Sequence, residues 1–531
     1  MTENEPSVDD RCRAAEVIAA MCLATDLGMA FPFEHGLHAT LITMRLTDLL
    51  DVDAETASHT YYLSLLMYAG CTTDVEEHSR IFVGGATANL MPVQFGSRTQ
   101  SLGGVVRAVS SPDGPPLRRA YEVATRLPMA ARFLRPHFAA ICEVAEMMAE
   151  RLGMPPAVQG MFFRLTERWD GNGVLGRGTG DDLPLPLRIV HVARDAANQQ
   201  LIGGTERTAA VIRERAGHAF DPDVANTFAD HAEQILAESE SESETAASVW
   251  EATLAAEPKP RQALSGPAID GALAAMGDFA DLVSPSLTGH TSGVARLAAD
   301  AAELMGFDAA NVGRIRRAAL VHDVGRVAVH PRIWLKPGPL TADEWEQVRL
   351  HPYHTGRVFS RSRFLHDIAS VACAHHERLD GSGYSQGATA ASLSPQARLL
   401  AVADAFHAKT EPRPYRQPHS AAEAAEILER DAKQGKLDPG CVAAVIEAAG
   451  QRVRHLERPA GLTEREVLVI GLIGRGLQTK QVARRLGISA KTADHHIQNV
   501  YRKIGVSTRA GATLYAMQHG LMSWGEFPIS R

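Results

Sequence analysis

The sequence predicts an all-α protein of several domains, on three observations. Strand signals are scarce: runs of alternating β-branched and aromatic residues are few, while Ala-, Leu-, Glu- and Arg-rich segments with apolar spacings of three and four recur throughout. The 531 residues exceed one hydrophobic core, and about 100–200 residues per domain gives roughly three to five units. A composition of 45 % hydrophobic and 22 % charged residues is that of an ordinary soluble protein, and no apolar run approaches the roughly 18 residues that span a bilayer. The opening MTENEPSVDD has neither the basic nor the apolar stretch of a secretory signal, so a cytoplasmic location without membrane attachment is expected. Six cysteines without a C-x-x-C pair imply reduced thiols rather than a disulfide framework or a cysteine zinc knuckle. A net charge of −8 argues against nonspecific nucleic-acid binding by the chain as a whole, but the C-terminal end is basic.

Two composition shifts divide the chain. Residues 237 to 258 (AESESESETAASVWEATLAAEP) carry six Glu and no Lys or Arg and lead into the Pro-Lys-Pro at 258 to 260. They mark an acidic linker, 237–262, between a first domain at 1–236 and a second at 263–450. At RPAGLTEREV, Pro459 and Gly461 precede Thr463-x-x-Glu466, a capping box that begins a last domain at 459–525. The first two domains repeat one phrase. TERWDGNGV at 166–174 and HERLDGSGY at 376–384 share the frame E-R-x-D-G-x-G, and the interval from Glu167 to Arg188 equals that from Glu377 to Arg398. Upstream, EHGLHATLITMRLTDLLD near residue 35 resembles GHTSGVARLAADAAELMG near residue 290, so tandem copies of one fold are expected. The shared frame suggests a structural role, with glycines at unusual φ and a local Glu-Arg ionic contact.

The second copy carries His290, His322-Asp323, His351, His375-His376 and Asp404. Imidazole and carboxylate suit Fe, Mn, Zn or Ni, and seven donors exceed what one ion needs, so two divalent transition-metal ions are expected. An Asp beside a His can bridge two ions. Arg326, four residues after His322, is expected to share its helical face and to hold a phosphate oxygen near the metals. Such an arrangement suits phosphodiester hydrolysis without a protein nucleophile.

With its GHTSGVARLA, HDVGR, LHPYHTG, HHERLDGSGY and VADAF stretches, the segment 265 to 450 resembles an HD-GYP domain, a metal-dependent phosphodiesterase family that hydrolyses cyclic di-GMP. The resemblance implies a helical fold. It implies that His290, His322, Asp323, His351, His375, His376 and Asp404 are the metal ligands, with Asp323 bridging and, beside Arg326, catalytic. It also implies that Tyr384, Arg398 and Arg326 line the substrate pocket. Three departures stand out: Gly383-Tyr384-Ser385 replaces Gly-Tyr-Pro, Arg326 replaces the usual Lys, and Ser286 stands where members with a third ion carry Glu. The last favours two ions. In the first copy Leu165-Thr166 replaces the His pair, Val174 the Tyr and Arg194 the Asp; the His-Asp pair falls near Met67-Tyr68-Ala69, and only His35 survives. That copy is expected to hold no metal and to serve as scaffold, sensor or dimerising module.

Nine Lys and Arg against Glu464, Glu466 and Asp494 give residues 459–525 a charge of +6, suited to phosphates. TKQVARRLGISAKTADHHIQNVYRKIGV reads as helix, Gly487 turn, and a second helix capped by Ser489. Ala493, Ile497, Val500 and Ile504 would face inward. Lys491, Thr492, His495, Gln498 and Arg502 would face a DNA major groove. With LTEREVLVIGLIGRGLQTKQVARRLGIS and YRKIGVSTR, the unit resembles the LuxR-type helix-turn-helix of bacterial regulators, which implies four helices, recognition by 490–503, binding to double-stranded DNA and a homodimer. The leading reading is a transcription regulator whose cyclic-dinucleotide phosphodiesterase, with cyclic di-GMP the expected nucleotide, adjoins a DNA-binding module. The alternative keeps the metal domain as a sensor or dimerisation module without turnover, and a third reading takes the basic tail as a localising device only.

Overall fold

A computed structural model describes residues 11–71, 75–237, 248–450 and 459–522. The expected all-α class holds. Among the described residues the only strands are Arg11–Arg13 and Ala263–Ser265, paired antiparallel with Cys12 opposite Leu264. The chain divides into two units, Met1–Ala268 and Ile269–Arg531.

In the first unit the buried helix Ala14–Met29 stops where Ala30 adopts a left-handed φ of 55°, and Glu34, at φ 73°, starts the helix His35–Leu49. Asp26 ties the two together by accepting from the Gly36 amide at 3.1 Å. Asp53 caps the helix Ala54–Leu65 by accepting from Thr56 N. Two long helices, Pro116–Arg151 and Leu185–Arg215, complete the frame, the second broken at Gly204, whose φ of 74° no helix tolerates. The expected linker needs correcting. Residues 238–247 lie outside the described residues, but beyond them Ser248 caps the helix Val249–Ala255, which buries Val249 and Trp250. Tyr61 donates to Thr253 O at 3.0 Å, and Tyr62 donates to the buried Glu257 at 2.6 Å. This stretch is therefore part of the first unit. Acidic composition misleads there because Glu257 is an internal partner, not a solvated charge.

The second unit opens with the same local devices. Asp281 accepts from the Thr291 amide and hydroxyl at 3.0 and 2.8 Å, Gly289 at φ 81° starts the helix His290–Leu304, and Asp308 caps Ala309–Val321. The pairs Asp26/Asp281, His35/His290 and Asp53/Asp308 fall at one constant interval along the chain. A 3-10 turn, Val324–Ala328, then packs on the helix His351–Phe359. Gly325 permits that approach, since a Cβ there would lie 2.1 Å from His351 O. Thr355 fastens the contact, accepting from Gly325 N at 2.9 Å and lying 3.1 Å from His322 O. Helices Arg363–Ala372, Pro395–Thr410, Ala421–Lys433 and Pro439–Gly450 finish this part.

Four helices follow: Glu464–Gly474, Thr479–Leu486, Ala490–Ile504 and Arg509–Gln518. The Thr463–Glu466 capping box forms as the sequence predicts, and Gly487 makes the turn at φ 64°. Ala493, Ile497 and Val500 are buried and Ile504 is partly covered.

Candidate functional site

All seven candidate ligands meet in the second unit, although they come from five separate elements. His322 follows the last turn of Ala309–Val321, His351 begins its own helix, His375 and His376 follow Arg363–Ala372, and Asp404 lies within Pro395–Thr410. Asp323 sits at the centre. Its Oδ2 lies 2.8 Å from His322 Nε2 and 3.4 Å from His290 Nε2; its Oδ1 lies 3.2 Å from His351 Nε2 and 3.4 Å from His375 Nε2. Asp404 faces His290 at 3.2 Å through Oδ1 and His376 at 3.7 Å through Oδ2. Burial opposes charge throughout this cluster. It pushes His375 down to about 4; on His322 the Asp323 and Asp404 carboxylates outweigh it and lift the pKa to about 9. Burial likewise opposes ionisation of Asp323, but Arg326 and His322 hold it well below the usual carboxylate range.

Both oxygens of Asp323, Oδ1 of Asp404 and Nε2 of His322 are buried without a well-directed hydrogen bond. Converging lone pairs left in this state are costly in a protein interior and fit cations held between them. The residues present therefore fit a His/Asp metal site. Among the described residues, every group of three or more close His, Cys, Asp or Glu belongs to this unit.

A cavity of about 440 Å³ opens onto the cluster. Arg326, His351, His376, Tyr384 and Asp404 line it on the metal side, and Tyr384 packs against His376 with ring centroids 4.6 Å apart. Two expectations change. Arg326 is not on a helical face with His322, because the helix ends first; the 3-10 turn carries it, and its guanidinium lies 2.5 Å from Asp323 Oδ2 while still reaching the cavity. Arg398 is not in the cavity wall. It donates to Ala390 O at 2.7 Å and Leu393 O at 3.1 Å and faces Asp438 at 3.3 Å, which fixes the loop before its own helix. In the first unit the matching Arg188 faces Asp221, the N-cap of Pro222–Asp230, at 2.7 Å.

Sequence reasoning misses the other cations and rings of the cavity. Lys409, Arg413 and Arg416 come from the run KTEPRPYRQ just after Asp404, and Trp334, Trp345 and Tyr415 add flat apolar surface. The density of Lys and Arg in that run is the signal that could have found them.

The repeated E-R-x-D-G-x-G frame also works differently from expectation. Among the described residues no ionic contact joins its Glu to its Arg in either copy. Glu377 is buried and accepts from the amides of Gln386 and Ala388 at 2.7 and 2.9 Å, whereas Arg168 pairs with Asp170 at 2.9 Å. The first glycines, Gly171 and Gly381, have φ of 73° and 78°; the second exist for close approach, since a Cβ on Gly383 would lie 2.5 Å from Glu377 Cα and Arg378 N. Gly383→Ala should therefore destabilise the second unit by about 1–3 kcal/mol, read as a lowered melting temperature; an unchanged melt would refute the packing argument.

At the matching place in the first unit, the buried Arg194 sets its guanidinium 5.4 Å from the ring centres of Tyr68 and Phe95 and bonds to Gln94. Burial pushes His35 down to about 4, leaving a neutral imidazole. A guanidinium and two rings lie together at this place.

In the last four helices, Lys491, Thr492, His495, Gln498 and Arg502 are all exposed on Ala490–Ile504. The basic surface is smaller than the charge count implies. Lys503 pairs with Glu466 at 2.7 Å, Arg509 donates to Leu477 O at 2.7 Å, and Arg465 donates to Leu486 O at 2.6 Å. Lys480, Arg484 and Arg485 remain exposed beside the recognition face. These helices abut the His/Asp-bearing part at the loop 284–289 and at Arg296, 3.0 Å from where a Cβ on Gly520 would lie. A Cβ on Gly476 would lie 3.0 Å from Pro285, and one on Gly289 would lie 3.1 Å from Met522. The other side of the same loop, Ser286 and Leu287, lines the cavity, and Arg413 donates to Ser286 O at 3.2 Å.

Comparison with known proteins agrees with this division. Residues 275–441 match the HD domain family, and residues 460–516 match the luxR family of bacterial regulatory proteins. The second unit thus joins an HD domain to a LuxR-type helix-turn-helix domain, a type that binds DNA, and the homologues of its HD part are HD-GYP phosphodiesterases. The 3'3'-cGAMP-specific phosphodiesterase 3 of Vibrio cholerae is 26 % identical over 441 residues, 82 % of this chain and 94 % of the relative. The cyclic di-GMP phosphodiesterase response regulator RpfG of Xanthomonas campestris is 39 % identical over 153 residues, 28 % of this chain. Only 40 % of that relative's length is spanned. A crystal structure of a V. cholerae cyclic GMP-AMP-specific phosphodiesterase shares the fold, with a TM-score of 0.57 at 23 % identity over 83 % of this chain and 99 % of that one. No helix among the described residues is long and apolar enough to cross a membrane.

Proposed function

We propose that this chain is a transcription regulator in which a dinuclear-metal cyclic-dinucleotide phosphodiesterase is coupled to sequence-specific DNA binding by a homodimer. One observation carries the enzymatic part: the two oxygens of the buried Asp323 face different pairs of imidazoles. His290, His322 and Asp404 would hold one ion, His351, His375 and His376 a second, and Asp323 would be shared. Imidazole and carboxylate donors accept Fe, Mn, Zn or Ni. Such ions supply a nucleophilic water at neutral pH and neutralise charge on the phosphodiester. The rest falls to the chain. Arg326, Arg378, Lys409, Arg413 and Arg416 offer positive charge for two phosphates, and Tyr384, Trp334, Trp345 and Tyr415 offer faces for bases. Among the described residues Asp404 is the only carboxylate in the cavity wall, which suits an anionic substrate. The relatives named above act on cyclic di-GMP and 3'3'-cGAMP, so the substrate is a cyclic dinucleotide of that class, with cyclic di-GMP the first to assay.

Equal intervals and equal capping devices in the two units support a tandem repeat, with the first copy a metal-free scaffold. A second reading, a nucleotide sensor without turnover, is favoured by the Arg326 guanidinium 2.5 Å from the shared carboxylate, a cation already placed where an ion would bind. Full-length protein loaded anaerobically with Mn or Fe should linearise cyclic di-GMP or 3'3'-cGAMP, as read by chromatography, and lose that activity on chelation. Metal and nucleotide binding without product would sink the enzyme and leave the sensor.

A further inference from the structure

Three of the clustered imidazoles are oriented by backbone. His322, His351 and His375 each donate Nδ1–H to the carbonyl three residues earlier, at 2.7 Å to Ala319 O, 2.6 Å to Val348 O and 2.7 Å to Ala372 O, and thereby aim Nε2 at Asp323. This works because each follows a helix end, where carbonyls are left without amide partners. His290 differs. No helix ends just before it, since the preceding helix Pro267–Asp281 stops well upstream, and the Leu287 carbonyl three residues earlier already accepts from the His290 amide at 2.9 Å. A side chain takes over: His290 Nδ1 lies 2.8 Å from Oε2 of Glu411, which is fully buried. Glu411 has two more partners, His407 Nδ1 at 3.1 Å from Oε1 and Arg413 Nη2 at 3.0 Å from Oε2.

We infer that Glu411 is a positioning residue of the metal centre. It holds the Nδ1 proton of His290, fixes the ring so that Nε2 faces Asp323 and Asp404, and links that ligand to Arg413 in the cavity wall. The inference rests on the metal-centre reading above. A carboxylate strengthens an imidazole donor more than a carbonyl does, and it carries charge through one bond to a residue placed to meet a phosphate. Of these four rings, His290 is the one oriented by a side chain, and that side chain also bonds to a cation of the cavity wall, Arg413, so anion binding at Arg413 and metal holding at His290 become linked.

The test uses the full chain as Glu411→Gln, which keeps the size and removes the charge, and Glu411→Asp, which keeps the charge and shortens the reach. Metal content is measured by mass spectrometry against chelators of graded strength. In Glu411→Gln one of two sites should weaken roughly 10–100-fold while the other holds, and the visible spectrum of the cobalt-loaded protein should change by one ion's share. Glu411→Asp should recover part of that loss. Both ions bound with wild-type affinity and an unchanged cobalt spectrum in Glu411→Gln would overturn the role. Should that variant fail to fold, the same measurement on Glu411→Asp decides, wild-type affinity and spectrum overturning it. A wild-type chain that holds no ion overturns the metal centre itself, and Glu411's role with it.

Discussion

Asp323→Ala should abolish phosphodiesterase turnover and bring bound metal below one equivalent. Asp323 faces two imidazoles of each half of the cluster within 3.4 Å, one oxygen toward His290 and His322 and the other toward His351 and His375, whereas Asp404 reaches the second half only at His376, 3.7 Å away. On the proposed dinuclear reading, losing Asp323 would remove a ligand from each ion together with the negative charge that would make two cations tolerable in a buried site. Metal charge stabilisation is worth several kcal/mol, which at 1.36 kcal/mol per decade means a fall of about 10³-fold or more in rate. A stability effect comes with it. The buried Arg326 loses its nearest carboxylate, and breaking a buried pair from one side costs about 3–5 kcal/mol. Asp323→Asn keeps the volume and separates the terms: packing should be preserved while metal binding and turnover fail. Chromatography of nucleotide products, metal analysis and a thermal melt check all three. Turnover within tenfold of wild type in either variant would end the case for a shared carboxylate.

The His/Asp cluster is legible in the sequence because metal chemistry admits few residue types, and His322-Asp323 and His375-His376 are conspicuous in any chain. Spacing within one helix is a poorer guide. It puts Arg326 on the face of His322, yet the helix ends at Val321 and a 3-10 turn sets the direction of that side chain. Position in a motif puts Arg398 in the pocket, but position says nothing about where a guanidinium points, and nearby carbonyls with Asp438 claim it. The cavity's remaining cations are illegible for a related reason: Arg413 and Arg416 lie in an irregular segment after a helix, whose path depends on tertiary contacts such as Arg413 to Ser286. Glu411 carries no motif of its own. Its importance emerges only when the partner of each Nδ1 is accounted for, since no helix ends just before His290 whereas the other three rings follow helix ends. The helix Ala490–Ile504 is legible because amphipathic spacing and capping are local properties. A charge count overstates the free basic surface, because Lys503, Arg465 and Arg509 are taken up by internal carbonyls and Glu466.

Removing the contact between the loop 284–289 and the last four helices should disconnect DNA binding from nucleotide binding while leaving both intact. That loop has two faces. Ser286 and Leu287 border the cavity, with Arg413 bonded to Ser286 O; Pro285 and Gly289 meet Gly476 and Met522. A nucleotide that engages Arg413 therefore acts on a segment that presses on the DNA-binding domain, yet the recognition residues Lys491, His495, Gln498 and Arg502 stay exposed, so the contact cannot act by covering them. On the proposed reading it would act by holding the domain in one placement, which in a homodimer would set the spacing of two recognition helices on half-sites. Allosteric coupling of this kind is worth about 1–3 kcal/mol, or roughly a 5- to 150-fold change in affinity. With an operator selected from random DNA, the wild-type chain should show a nucleotide-dependent shift of that size, and the Pro285→Ala, Met522→Ala double variant should lose most of it. Linkage supplies an internal check, because operator DNA must change nucleotide affinity by the same factor as nucleotide changes operator affinity. A double variant that keeps the full shift would place the coupling elsewhere in the chain. A wild-type chain with no shift in either direction would mean that the two domains act independently, and the regulator reading would fall while the phosphodiesterase stood.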